Sequence, residues 1–252
     1  MTNARSVLVT GGASGIGLAI TRGFVAQGYR VLISGSKPTV PDVARSLATP
    51  ALEVHAHVAD LSDEHQVLGL AERAKALFDG GCDILVNCAG NSQKRNGEAI
   101  DPADVLTADW NRIMQVNLTA PFVLCRELIP AMQRRGWGRI VNISSRGGRT
   151  FNPFAGVDYA ASKAALIGLT RQLAGTYAAD GITVNSIAPG RIETALSNTS
   201  SAAVKASAVK FIPAGRFGKP EEIAAMALFL AGDSAGFITG ACYDVNGGAF
   251  MG

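Results

Sequence analysis

A chain of 252 residues, 48% hydrophobic and 17% charged, is long enough to bury a full core and fits one large domain. Its net charge of +3 is too small to imply a nucleic-acid partner, and no apolar run approaches the roughly 20 residues that a membrane span needs. The start, MTNARSVLVTGG, runs into a strand-like segment without the basic and apolar regions of a signal peptide, so a cytoplasmic protein is expected. Cys82, Cys88, Cys125 and Cys242 lie far apart, which predicts reduced thiols rather than a disulfide framework. Neither their spacing nor the pair His55 and His57 forms a metal pattern, so no metal is expected and the partner should be a small molecule.

Along the chain, short β-branched runs alternate with longer stretches of helical period. SVLVT, RVLIS, LEVHAHV, DILVN, GRIVNI, GITVNSIA and CYDV are strand candidates, separated by segments such as ITRGFVAQG and EEIAAMALFLAG. This order predicts an α/β fold, a doubly wound and mostly parallel seven-stranded sheet with helices on both faces, as a single domain over 1–252. SNTSSAAVKASAVK is a polar stretch, read as a substrate-loop insertion at about 195–212 that closes over the site as a lid.

Parallel sheets bind ligands beyond the carboxyl ends of their strands, and the unusual residues collect there. After the first strand come Thr10, Gly11, Gly12, Ala13, Ser14, Gly15, Ile16 and Gly17, opening a helix. Gly11 and Gly15 can take backbone conformations closed to other residues, and Gly17 permits close helix-to-strand packing, so a pyrophosphate can rest on amides at the helix N-terminus. Asp60 follows the third strand, where it either accepts from an adenine amino group or caps the next helix. Asn87, Cys88, Ala89 and Gly90 follow the fourth, a small-residue turn that lets backbone approach a nucleoside. Asn117 lies inside an apolar helical pattern and needs a hydrogen-bond partner. Ser144 and Ser145 end the fifth strand, and Pro189 with Gly190 ends the sixth.

Tyr159 and Lys163, four apart in GVDYAASKAALIGLTRQLA, share one face of a predicted helix. Bringing a phenol from pH ~10 toward ~7 requires about 4 kcal/mol of extra stabilisation for the phenolate. One positive charge at about 4 Å, at an effective dielectric of ~20, supplies a Coulomb attraction of that order before desolvation is charged against it.

These residues together resemble the short-chain dehydrogenase/reductase family, in its one-domain branch, which includes the 3-oxoacyl-carrier-protein reductases. TGGASGIG looks like the family's cofactor turn and NCAG like its central turn; Ser145, Tyr159 and Lys163, with Asn117, look like its catalytic set. PGRIET, GRFGKPEEIA and FITGACYDVNGG are similar to further family segments. The resemblance implies a Rossmann fold, a nicotinamide cofactor and a homotetramer built through the helices carrying Asn117 and Tyr159 and through the last strand. It implies Tyr159 as general acid/base, Lys163 lowering its pKa and holding the nicotinamide ribose, Ser145 bonding the oxygen where charge develops, and Asn117 holding a water beside Lys163. Ile16, Leu61, Asn87, Ala89, Pro189, Gly190, Ile192 and Thr194 fall on cofactor-binding positions, the last two on those that fix the nicotinamide face. The sequence departs from the family pattern in three places: fourteen positions separate Ser145 from Tyr159 where thirteen are usual, Asn246 stands where many members have Asp, and Cys88 where many have Asn.

After the second strand, Gly35 stands where a member preferring NAD carries an acid, while Ser36 and Lys37 offer a hydrogen bond and a charge to a 2′-phosphate. NADP(H) is therefore favoured over NAD(H), against a reading of Lys37 as a solvated loop charge. Arg146 and Arg149 follow Ser145, which suggests an anionic group on the substrate, unless both face solvent or a subunit contact. The carrier-docking positions of the 3-oxoacyl-carrier-protein reductases fall on Gly136 and Asp180, and only Arg134 and Arg135 lie near to compensate, so a small ketone or secondary alcohol is favoured over a carrier-bound chain. A catalytically silent dinucleotide-binding regulator is the alternative from another class, and a sugar-nucleotide epimerase is disfavoured by the short chain.

Overall fold

The computed structural model describes residues 4–50, 52–95, 97–194 and 207–252. Seven strands carry the sheet: β1 (Ser6–Thr10), β2 (Arg30–Gly35), β3 (Val54–Val58), β4 (Ile84–Asn87), β5 (Gly138–Ile143), β6 (Ile182–Pro189) and β7 (Cys242–Val245). All pair in parallel, in the order β3-β2-β1-β4-β5-β6-β7. All seven strand candidates are found, and the sheet is wholly parallel. The chain begins in the middle, winds outward to β3, and returns across β1 to start the second half at β4. The order reverses between β1 and β4, and a crevice opens there beyond the carboxyl ends.

Alternation along each strand sends side chains to two separate cores. Leu8, Leu32, Leu85, Ile140 and Val184 face one side and pack on α3 (Glu64–Leu77), α5 (Ala120–Arg135) and part of α6 (Val157–Tyr177). Val7, Val9, Ile33, Val86 and Val141 face the other, beneath α1 (Gly15–Ala26), α2 (Val40–Leu47) and α7 (Pro220–Ala231). Strands buried on both faces favour apolar residues at most positions, which is why the central segments read as β-branched runs.

Two local features position the site. Gly17, one turn into α1, lies so close to β1 that an added Cβ would fall 2.1 Å from the Gly11 carbonyl oxygen. Between α4 (Thr107–Met114) and α5 the helix widens into a π-turn over Gln115–Thr119, and Asn117 sits within it. Such widenings mark functional sites often enough to direct attention there. The predicted lid at 195–212 falls largely outside the described residues; of its remainder, Ala208 and Ile212 form a small apolar cluster with Phe217, against which Phe154 packs.

Candidate active site

The β1–α1 turn meets the backbone requirements read from its glycines. Gly11 (φ 66°) and Gly15 (φ 50°) take left-handed conformations, and a Cβ at Gly11 would lie 3.0 Å from the Ala89 Cα. Thr10 staples this turn to the end of β4: its hydroxyl donates to the Val86 carbonyl at 3.5 Å and accepts from the Cys88 and Ala89 amides at 3.0 and 3.1 Å. Thr10 was visible in the sequence as the residue before the glycines, but its role depends on a partner strand far along the chain. Ser14 precedes α1 in extended conformation and makes no side-chain cap, so the first-turn amides keep the polarity that suits an anion. Thr194 reaches the same place, its Cγ2 being 3.3 Å from where a Cβ on Gly15 would stand.

Ser36 and Lys37 are exposed just beyond β2, and among the described residues no ion pair or hydrogen bond engages the Lys37 side chain. Asp60 does not cap α3; Asp63 does, accepting from the His65 amide at 2.9 Å. The Asp60 carboxylate instead accepts from the Ser62 amide and hydroxyl at 2.9 and 2.8 Å, which holds it below the usual carboxylate range, and Leu61 beside it is buried. The Asn87 side chain points into the sheet, donating to Asn142 Oδ1 at 2.8 Å, which leaves its backbone as its contribution to the crevice. Ile192 is likewise buried in the core and lies in a backbone bridge with Gly218, while Gly190, following Pro189, presses on Asn246, 2.8 Å from a would-be Cβ.

The chemistry-bearing side chains converge where β4, β5 and α6 meet. Ser145, just past β5, lies beside Tyr159 and favours its charged form, and accepts from the Gly147 amide at 3.1 Å. Ser144 is excluded because its hydroxyl donates to the Lys163 carbonyl at 2.8 Å. Lys163 is buried; its ammonium donates to the Ile143 carbonyl at 2.8 Å and lies 5.8 Å from the centre of the Tyr159 ring. A Cβ at Gly90 would stand 3.2 Å from Lys163 Nζ and 3.5 Å from Asn117 Oδ1, so a side chain there would press on both groups. Asn117 is fully buried, accepts from the Asn91 amide at 2.8 Å, and donates to the Asn91 carbonyl and to the Ser162 hydroxyl at 2.9 and 3.0 Å. Ser162, which the sequence reading did not single out, passes this link on to the Tyr159 carbonyl at 2.8 Å.

Electrostatics correct one expectation. Burial pushes the Tyr159 phenol above its ordinary value, and the neighbouring Ser145 only partly opposes this. Burial pulls the Lys163 ammonium down to about 8. The net shift of Tyr159 is therefore upward rather than downward as expected, because burial of the phenol outweighs what favours its charged form, and the Lys163 ammonium is turned to the Ile143 carbonyl.

Arg149 makes contacts within the chain. Its guanidinium pairs with Asp244 at 3.1 Å and donates to the Gly252 carbonyl at 2.7 Å, so its charge is already met within the chain. Arg146 donates to the Ala249 carbonyl at 3.3 Å.

A nicotinamide dinucleotide fits the crevice on physical grounds. The glycine cradle, closed to any side chain at Gly17, and the uncapped start of α1 suit a pyrophosphate, and Lys163 and Tyr159 lie on the far side of Gly90. Among the described residues no cluster of three or more potential metal ligands occurs, and no helix is long and apolar enough to cross a membrane.

Residues 11–249 match a family model described as Enoyl-(Acyl carrier protein) reductase. The chain is 40% identical to Nodulation protein G of Rhizobium sp. (strain N33), over 98% of this chain and 97% of that protein. It is 36% identical to the acetoacetyl-CoA reductase of Allochromatium vinosum, over 98% and 99%. Among solved structures, a 3-oxoacyl-acyl-carrier-protein reductase of Brucella melitensis with bound NAD superposes with a TM-score of 0.90 at 36% identity, covering 100% of this chain and 93% of that one. A putative NAD(P)-dependent gluconate 5-dehydrogenase of Beutenbergia cavernae with bound NADP also gives a TM-score of 0.90 at 36% identity, over 98% and 97%. The chain therefore belongs to the short-chain dehydrogenase/reductase family, as an oxidoreductase acting between CH–OH and C=O.

Proposed function

We propose that this chain is an NADP(H)-dependent ketoreductase, exchanging hydride with a small ketone or secondary alcohol, in which Tyr159 is the general acid/base. The observation that carries the reading is a buried Lys163 whose ammonium lies 5.8 Å from the centre of the Tyr159 ring, with Ser145 beside Tyr159 and Asn117 beside Gly90. When bound, the nicotinamide supplies or accepts the hydride. In reduction, Tyr159 gives its proton to the carbonyl oxygen; a phenol held above its ordinary value is fully protonated at neutral pH and ready to donate. Ser145 donates to the same oxygen as negative charge grows on it. The Lys163 ammonium, still mostly charged at pH 7, is the positive group nearest the phenolate that remains, and Asn117 and Gly90 fix the space around it. Gly11, Ser14, Gly15, Ile16 and Gly17 hold the pyrophosphate, the backbones of Asn87, Ala89, Gly90, Pro189, Gly190 and Ile192 line the nucleoside path, and Asp60 and Leu61 take the adenine.

Preference for NADP rests on Gly35 at the end of β2, which presents no carboxylate, and on the exposed Ser36 and Lys37 beside it. Reduction of a carrier-bound 3-oxoacyl chain is the second reading, favoured by the names of the relatives. Against it, the carrier-docking position at Gly136 is a left-handed helix terminus (φ 62°), and Asp180 is acidic and accepts from Gln133 at 2.8 Å. Of the two nearby cations, Arg135 is spent on the Phe78 carbonyl and on Asp83, while Arg134 is exposed.

Initial-rate assays with acetoacetyl-CoA, a 3-oxoacyl carrier protein, cyclic ketones and keto acids, each with NADPH and with NADH, test the proposal. It expects turnover of at least one free ketone, faster with NADPH. Binding of NADPH without turnover of any carbonyl or alcohol would support a silent regulator instead.

A further inference from the structure

Arg149 lies in the loop between Ser145 and Tyr159 that is one residue longer than is usual in the family, and no role described so far accounts for it. Its side chain is only 16% exposed. Besides Asp244 and the Gly252 carbonyl, it covers the Phe250 ring, 5.0 Å from its centre. It thus reaches β7 and the segment after it, about a hundred residues downstream. Arg146, one turn earlier, joins the same segment at Ala249. Asn246 folds that segment back on itself, accepting from the Gly248 amide at 3.0 Å and donating to the Phe250 carbonyl at 3.1 Å.

The opposite side of the same turn is pressed onto the catalytic helix. A Cβ on Gly148 would lie 2.6 Å from the Lys163 carbonyl carbon and 2.7 Å from the Ala164 amide nitrogen, so backbone meets backbone at Lys163 itself. Ser145 caps this single turn, Arg146–Gly148. The turn is too short to hold its own geometry: three residues make few internal hydrogen bonds and must be fixed from outside. One wall is α6; the other is the C-terminal segment, and Arg149 is the residue with the most bonds to it.

We propose that Arg149 is a positioning residue that clamps the Ser145 turn between α6 and residues 246–252, so that Ser145 is held in register with Tyr159 before substrate arrives. A misplacement of about 1 Å in a group that must meet a transition state can cost around a hundredfold in rate. Ser145 gains its placement from a contact made far along the chain, and the longer loop supplies the reach. The kinetic part of this proposal rests on the ketoreductase reading; the structural part does not.

The test uses the full chain with Arg149→Met, Arg149→Lys, Asp244→Asn and the Arg149→Met/Asp244→Asn double variant. Three quantities are read: hydrogen exchange of the amides of residues 147–150, NADPH affinity by fluorescence titration, and kcat and KM with a ketone that the wild type reduces. For Arg149→Met the expected results are roughly tenfold or greater acceleration of exchange confined to that turn, an NADPH Kd within about twofold of wild type, and a kcat reduced about 10- to 100-fold with a smaller change in KM. Asp244→Asn should show the same pattern more weakly, the double variant should be no worse than Arg149→Met alone, and Arg149→Lys should recover most of kcat through the retained ion pair. Unchanged exchange in the turn of a folded Arg149→Met protein, or faster exchange with unchanged kcat, or additive losses in the double variant, would overturn the clamp. If Arg149→Met does not fold, Arg149→Lys and Asp244→Asn decide by the same readouts. A wild type that reduces no ketone would sink the ketoreductase reading, while exchange in the turn would still decide whether Arg149 holds it.

Discussion

Lys163 predicts a specific pH dependence for carbonyl reduction. Burial lowers its ammonium from 10.5 to about 8, a shift equivalent to about 3 kcal/mol against the charged form at roughly 1.36 kcal/mol per unit. The sign follows: the charged form that steadies the developing phenolate is present below pH 8 and lost as pH rises through it. The neighbouring groups do not titrate in this window, since Tyr159 is pushed above its ordinary value and Cys88 is pushed up to about 12. A single group near 8 is about nine-tenths charged at pH 7 and about one-tenth at pH 9, so kcat for reduction should fall roughly tenfold between those values with a slope approaching one. The assay is initial-rate NADPH oxidation at saturating ketone and cofactor in constant-ionic-strength buffers, with Lys163→Met as control. That variant should be slow and should lose the break near pH 8. A flat wild-type profile from pH 7 to 9, or a break that survives in Lys163→Met, would refute the assignment of the ammonium as the titrating group.

Three other substitutions test separate parts of the site. Gly17→Ala places a Cβ 2.1 Å from the Gly11 carbonyl oxygen, which must displace α1 from β1; a stability loss of about 1–3 kcal/mol by denaturant titration and a large loss of NADPH affinity are expected. Lys37→Ala should weaken NADPH binding by about tenfold while leaving NADH nearly unchanged, and equal effects on both would remove Lys37 from the 2′-phosphate site. Arg146 is engaged with the Ala249 carbonyl, so Arg146→Ala should change kcat/KM for anionic and neutral ketones by a similar factor; a selective loss for the anionic ones would restore Arg146 as a substrate contact.

Much of this architecture was legible because its causes are local. The seven strands read correctly since a doubly covered parallel sheet favours β-branched runs, and Gly11, Gly15 and Gly17 could be read from backbone and packing demands set within one βα unit. Ser145 is set beside the family's catalytic serine by resemblance, and what the sequence does not show is that the adjacent Ser144 hydroxyl is consumed by the Lys163 carbonyl. What escaped the sequence depends on partners far away. Asn87 looked like a crevice residue, but Asn142, 55 positions on, draws its side chain into the sheet. The π-turn around Asn117 leaves no periodic signature, because one widened turn is set by what packs against it. The nearness of Arg149 to Ser145 suggests a substrate contact, or else a solvent or subunit contact, whereas its partners Asp244 and Gly252 lie on β7 and the segment that follows it, about a hundred positions away. The expected lowering of the Tyr159 pKa failed for a related reason: a charge pair one helical turn apart was visible, whereas the burial of both members was not.

The most direct test of the Tyr159 mechanism is the pairing of NADPH binding with ketone reduction in Tyr159→Phe. Removing one hydroxyl leaves the ring and the helix in place, so NADPH affinity should stay within about threefold of wild type while kcat falls by about a hundredfold or more, the usual scale for losing a general acid. A Tyr159→Phe protein that binds NADPH normally and reduces ketone within tenfold of the wild-type rate would contradict the assignment of Tyr159 as the proton donor.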